Sequence, residues 1–107
     1  MADGNALDGV VVLDLTRVLA GPLCAQMLGD MGAEVIKVEH PDRGDDTRHW
    51  GPPFADTEAA YFLGVNRNKK SLALDFKSPA GLQVLKKLVQ KSDIVIDNFK
   101  PGLLDKL

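Results

Sequence analysis

Leu13-Asp-Leu-Thr-Arg-Val-Leu-Ala-Gly-Pro22, followed by Gly32-Ala-Glu-Val-Ile-Lys-Val-Glu39, reads as a strand, a tight Gly-Pro turn, a helix and a second strand ending in an acid. That is a βαβ opening, a unit whose first turn often faces a nucleotide. The spaced glycines of a dinucleotide fingerprint are missing, because the turn holds Gly21 alone. Glu39 follows Gly21 at about the interval of a ribose-binding acid, but without the other glycines the interval identifies no dinucleotide site. The segment points to a nucleotide-like ligand held by other means.

Working outward, Val10 to Leu15 is an apolar run suited to a buried strand, and Pro22 sits where a first helical residue tolerates proline. Leu23, Met27, Leu28 and Met31 fall at helical spacing, and Gly32 is placed to end that helix in a left-handed conformation. Cys24 lies inside this pattern and reads as a small core residue. Val35 to Val38 is the second strand, and Lys37 within it suggests an edge or a site. From His40 to Thr57 periodicity stops in a long turn-rich loop with Trp50 and Phe54. Glu58 to Val65 can make a short helix, and Ser71 to Asp75 a strand. Ser78 and Pro79 are a cap and first residue for a helix whose apolar face is Leu82, Leu85, Leu88 and Val89. Ile94 to Ile96 is a strand of the buried type. Leu103 to Leu107 begins a further helix. The alternation predicts an α/β, Rossmann-like fold with a largely parallel sheet, flanking helices and right-handed crossovers.

Composition narrows the function classes. With 107 residues, 45% hydrophobic and 26% charged, the chain is one ordinary globular domain at most. A net charge of −2 argues against nonspecific nucleic-acid binding. The single cysteine gives no disulfide framework, and no Cys/His spacing suggests zinc or another metal. No run approaches the ~20 apolar residues of a membrane span, and the acidic start is neither a secretory signal nor a transit peptide. The expectation is a soluble, cytoplasmic protein.

Several groups bear chemistry. Arg67, Lys69 and Lys70, between asparagines at the start of a strand, read either as a solvated turn or as cations facing phosphates. Asn98, Phe99 and Lys100 follow the last strand, where open α/β sheets bind ligands. Asp45 and Asp46 in the long loop resemble paired acid–base carboxylates, although adjacent loop aspartates more often hydrogen-bond to backbone.

Five motifs in order, Val12-Leu-Asp-Leu-Thr-Arg-Val-Leu-Ala-Gly-Pro22, Gly29-Asp-Met-Gly-Ala-Glu-Val-Ile-Lys-Val-Glu39, Gly44-Asp-Asp-Thr-Arg48, Asn66-Arg-Asn-Lys-Lys-Ser-Leu-Ala-Leu-Asp75 and Asp97-Asn-Phe-Lys-Pro-Gly102, resemble the class III CoA-transferases, the CaiB/BaiF family. The resemblance runs from Leu7 onward and covers the N-terminal part of such an enzyme. It implies that residues 1–107 are a CoA-binding, Rossmann-like segment of the family's large domain.

The resemblance also implies an activity: moving CoA from an acyl-CoA to a carboxylic acid through attack of an aspartate on the thioester. The family's nucleophile comes later in the chain than the ground covered here. No catalytic residue is therefore assigned, and residues 1–107 alone are expected to show no transfer. Coenzyme A and acyl-CoA are substrates, and no cofactor or metal is implied. By motif position the CoA contacts fall on Val18, Leu19, Ala20, His40, Leu74, Asp75, Phe76, Lys77, Asn98, Phe99, Lys100 and Lys106. Some members carry at this position a glutamine whose amide can donate a hydrogen bond, which Leu19 cannot do; this argues against formyl-CoA specificity. Some carry arginine at His40 and Lys106, which implies weaker phosphate contacts here. Family enzymes resemble interlocked dimers, so a homodimer is expected of the full-length enzyme. The alternatives are an acyl-CoA racemase of the same superfamily and a non-catalytic CoA- or nucleotide-binding module.

Overall fold

Strand β1 (Val11–Asp14) lies at the centre of a four-stranded sheet, with β2 (Glu34–Glu39) on one side and β6 (Ile94–Ile96) on the other. Beyond β2 lies β5 (Lys69–Ala73), giving the spatial order β5-β2-β1-β6 with every pairing parallel. The computed structural model describes residues 4–107. In the sheet's own sequence the order is third, second, first, fourth strand, the doubly wound arrangement whose ligand crevice opens beyond the strands' carboxyl ends. The α/β, Rossmann-like reading of the sequence is the fold observed.

Period-two alternation along the strands sends successive side chains to opposite faces. On one face Val12 and Val35 pack with Ala25 and Ala33 beneath helix α1 (Ala20–Asp30). On the other, Leu13, Leu15 and Val38 meet Leu85 of helix α3 (Pro79–Lys91), with Leu82, Leu88, Phe76 and Phe99 packed around them. Each large aliphatic side chain so buried contributes about 1.5–3 kcal/mol. Helix α3 starts as expected: the Ser78 hydroxyl accepts from the Gly81 amide at 3.0 Å, and Pro79 is the first helical residue.

Helix α1 departs from expectation. It begins at Ala20, so Gly21 and Pro22 lie in its first turn instead of forming a tight turn before it. The buried face is Pro22, Ala25 and Gln26, whereas Met27 and Met31 are exposed. Cys24 is exposed as well, which corrects its reading as a core residue. The cause is geometric. A Cβ on Gly21 would sit 2.3 Å from Thr16 Cβ, so the small residues are turned inward to let the helix lie directly on the turn after β1. Gly32, at φ +107°, follows α1 in the left-handed region, as expected.

Three further readings change. The strand at Ile94–Ile96 is an edge among the described strands, with Ile94 and Val95 each more than a third exposed. The expected Ser71–Asp75 strand is Lys69–Ala73. The long loop carries structure of its own: a 3-10 turn over Asp46–His49, then a hairpin of β3 (Phe54–Ala55) and β4 (Glu58–Ala59) leading into helix α2 (Ala60–Val65). Trp50 and Tyr61 pack edge to face with centroids 5.3 Å apart. Leu104–Lys106 forms a single 3-10 turn. Among the described residues, no helix is long and apolar enough to cross a membrane.

Candidate functional site

Beyond the carboxyl ends of all four parallel strands opens a cavity of about 410 Å³. Leu15, Thr16 and Arg17 enter it from β1, Val38, Glu39 and His40 from β2, Leu74 to Lys77 from β5, and Phe99 from β6. The loop after β2 closes it with Arg43, Gly44, Asp45 and Asp46. One wall is aromatic: the Phe76 and Phe99 rings lie 5.9 Å apart, and the Arg17 guanidinium sits 5.8 Å from the Phe99 centroid. Arg17, Arg43 and Lys77 are exposed at the rim and form no ion pair with another described residue. The rim thus carries three cations beside the exposed carboxylates Asp46 and Asp75, and Leu15, Val38, Leu74, Phe76 and Phe99 supply the apolar part of the lining.

Below the rim, alternation places charge where the interior would otherwise be apolar. On the face carrying Val12 and Val35, the next inward residues are Asp14 and Lys37, register partners across β1 and β2. Lys37 is 1% exposed; its ammonium pairs with Asp45 at 2.9 Å and donates to the Thr16 carbonyl at 3.0 Å. The Lys69 ammonium pairs with Asp14 and donates to the Pro22 carbonyl, both at 2.9 Å, and to Asn66 at 2.8 Å. Glu39 takes the Arg48 guanidinium bidentately at 2.7 and 2.8 Å, the Asp45 amide at 2.9 Å and the Ser71 hydroxyl. The Arg48 guanidinium also lies 3.8 Å from the Phe62 centroid. A buried charge is tolerable only when each of its hydrogen-bonding positions is answered in this way.

Electrostatics follows from those contacts. Burial pushes the Glu39 carboxyl up, but bonds from Arg48, Ser71 and the Asp45 amide, with the guanidinium charge, outweigh it and bring the pKa down to about 2. At Asp45 burial is likewise overcome, by the Thr47 amide and Lys37, so this carboxyl lies below the usual range. Burial lowers the Lys69 ammonium, against the pull of Asp14. Glu39 and Asp45 are therefore fully ionised at neutral pH and unsuited to general acid work. Asp45 instead caps the 3-10 turn, accepting from the Thr47 amide at 3.0 Å, the backbone role read as commoner for such pairs.

The cavity brings together six of the twelve residues singled out from the sequence: His40, Leu74, Asp75, Phe76, Lys77 and Phe99. Val18, Leu19 and Ala20 continue from its Arg17 into the first turn of α1. The Asn98 amide is turned onto Arg17, accepting from its N–H at 3.2 Å and donating to its carbonyl at 2.8 Å. Lys100 and Lys106 are exposed and outside the cavity lining.

Of the two readings of the cations around the start of β5, the one facing phosphates is corrected. Arg67 pairs with Asp30 at 2.7 Å, Lys69 is buried on Asp14, and Lys70 lies 3.7 Å from Glu34. They sit at the amino end of β5, opposite the cavity, and are answered by carboxylates. Lys37 is at no sheet edge, because β2 has β1 and β5 on either side, but it does line the cavity. Arg17 and Arg43 escaped the sequence reading. No local pattern distinguishes a rim arginine from any exposed one, whereas a lysine inside Val35-Ile-Lys-Val38 is a visible anomaly. Among the described residues no cluster of three His, Cys, Asp or Glu side chains is placed to hold a metal ion.

Comparison with known proteins agrees with this geometry. Residues 7–107 match the family profile of CoA-transferase family III. The chain is 57% identical over 101 residues to succinyl-CoA:glutarate CoA-transferase of Mus musculus, covering 94% of this chain and 23% of that enzyme. It is 52% identical over 100 residues to succinate–glutarate CoA-transferase of Agrobacterium fabrum, covering 88% of this chain and 25% of the relative. A crystal structure of a CaiB/BaiF family protein from Brucella suis superimposes with a TM-score of 0.89 at 50% identity, over 95% of this chain and 28% of that one. The chain spans about a quarter of the length of the curated relatives it matches. With the motifs, the parallel sheet and the family match in agreement over residues 7–107, this chain belongs to CoA-transferase family III.

Proposed function

We propose that this chain supplies the acyl-CoA-binding part of a CoA-transferase that moves CoA from an acyl-CoA to a carboxylic acid. The observation that carries the reading is the cavity at the strands' carboxyl ends, with Leu15, Val38, Leu74, Phe76 and Phe99 in its lining and Arg17, Arg43 and Lys77 at its rim. Its lining includes half of the positions matched to the family's CoA contacts. CoA is a polyanion with a long apolar-to-amide arm and a stacking base. Guanidinium and ammonium groups with no ion-pair partner among the described residues suit its phosphates, and Phe76 and Phe99 suit the base or the arm. Val18, Leu19, Ala20, Asn98, Lys100 and Lys106 complete the proposed contact set.

In the proposed reaction an aspartate outside residues 1–107 attacks the thioester carbonyl. The C–S bond breaks, CoA leaves as thiolate, and a mixed anhydride remains. The thiolate then attacks the aspartyl carbonyl of that anhydride, releasing the donor acid and forming an enzyme thioester. The acceptor carboxylate takes over the acyl position, and CoA is returned to it in the reverse sequence. Because the relatives are named for succinyl-CoA and glutarate, a dicarboxylic acceptor is the first choice. A cytoplasmic homodimer with no nucleic-acid partner is part of the same proposal.

The test is calorimetric titration of the purified chain with CoA, joined to a transfer assay, with succinyl-CoA and glutarate, on a full-length enzyme that carries it. Micromolar CoA affinity that weakens with rising salt is the expected result, since the contacts are largely ionic. Absence of CoA binding, or racemisation of a branched acyl-CoA without transfer, would overturn the reading.

A further inference from the structure

The turn Thr16-Arg17-Val18, between β1 and α1, has its backbone polar groups answered by side chains from four parts of the fold. The Thr16 amide donates to Asp14 at 2.9 Å, and the Thr16 carbonyl accepts from the Lys37 ammonium at 3.0 Å. The Arg17 amide and carbonyl are clasped by Asn98. The Val18 amide donates to both carboxylate oxygens of Asp45 at 3.3 Å. Lys37 and Asp45 are joined to each other at 2.9 Å and are each about 1% exposed. Val18 itself sits at φ +76°, a conformation a β-branched residue adopts only when its surroundings impose it.

We infer that Lys37 and Asp45 are positioning residues for acyl-CoA binding. As one buried ion pair they hold the Thr16 carbonyl from one side and the Val18 amide from the other, fixing in a single strained geometry the turn that leads from the cavity-lining Thr16 and Arg17 into Val18–Ala20. A hydrophobic pair of similar size would fill the same volume and carry the fold, but would hold neither backbone group. That contrast separates positioning from packing, because replacing a buried ion pair whole by apolar residues is often neutral for stability. The inference rests on reading the cavity as an acyl-CoA site.

The experiment compares a full-length enzyme carrying this segment with its Lys37→Met/Asp45→Leu double variant and with Asp45→Asn. Three quantities are read: amide hydrogen exchange at Arg17 and Val18 without ligand, CoA affinity, and KM for acyl-CoA against KM for the acceptor acid. In the unmodified protein the Val18 amide should be protected. In the variants that protection should fall, and KM for acyl-CoA should rise on the order of tenfold, equivalent to about 1.4 kcal/mol. KM for the acceptor should stay in place.

Each other outcome decides against the inference. A Val18 amide already unprotected in the unmodified protein overturns it whether or not the variants fold. Unchanged CoA affinity in a folded variant overturns it too, while leaving the proposed function standing. Weaker CoA binding with Val18 protection intact would mean that the pair touches the ligand directly. If the unmodified protein binds no CoA, the proposed function itself fails.

Discussion

Changing Glu39 to Gln should destabilise the protein in a way that depends on pH with a definite sign. The folded carboxyl titrates at about 2 against an ordinary 4.5, and this side chain is 4% exposed, so solvent screens its partners little. At about 1.4 kcal/mol per pH unit, the displacement corresponds to about 3 kcal/mol. Because the folded pKa is depressed, that stabilisation is fully present above pH 4.5 and is lost as the pH falls towards 2. The variant keeps the size and one acceptor oxygen of Glu39, but removes the charge facing Arg48. The ion pair left to Arg48 would then be the longer, more exposed one to Glu58 at 3.4 Å. Urea unfolding followed by far-UV circular dichroism, at pH values from 7 down to the lowest at which both proteins fold, measures the difference. The gap between the two should be about 3 kcal/mol at pH 7 and should narrow steadily below pH 4.5. A gap that is absent at neutral pH, or that keeps its size into acid, would refute the argument that the Arg48 and Ser71 contacts hold Glu39 ionised.

Gly81→Ala tests close approach on the other side of the sheet. A Cβ there would lie 1.8 Å from the Asp75 carbonyl oxygen, so the Leu74–Lys77 segment must move. Alanine favours a helix interior over glycine by about 1 kcal/mol; a net loss of about 1–3 kcal/mol in thermal unfolding, with weaker CoA binding, would show that the clash wins. Cys24→Ala in the full-length enzyme should change stability by no more than about 0.5 kcal/mol, since the side chain is exposed, and should leave turnover intact. Loss of turnover in a folded variant would make the thiol functional. Lys77→Ala should weaken CoA binding by about 1.5–3 kcal/mol, as expected of a charge-assisted contact, and by more than Lys100→Ala, because Lys77 lines the cavity and Lys100 does not. Calorimetry that ranks them the other way would move the phosphate contacts towards the chain's last strand.

The fold was legible wherever a residue's role depends on near neighbours. The apolar runs at Val10–Leu15 and Val35–Val38 define strands, and Ser78-Pro79 starts a helix through its own hydroxyl and fixed ring. The family motifs point to the carboxyl ends of β2, β5 and β6, and His40, Leu74 to Lys77 and Phe99 all line the cavity found there. Helix α1 shows where local reading stops. Its methionines have the right spacing for a buried face, yet Pro22, Ala25 and Gln26 face inward because Gly21 must let Thr16 approach.

The sequence by itself determined the α/β class, the order of the elements and the family, since periodicity, capping and motif order are properties of short stretches. Only the tertiary structure decided which charges are free. Arg48, Arg67 and Lys69 look no different in sequence from Arg17, Arg43 and Lys77, and even the conspicuous Lys37 does not show its partner, but folding sets these four against Glu39, Asp30, Asp14 and Asp45. The other three are left facing the cavity. Those carboxylates lie 8 to 55 residues away along the chain, and an ion pair depends on distance through space, which the sheet's register sets and no local pattern records.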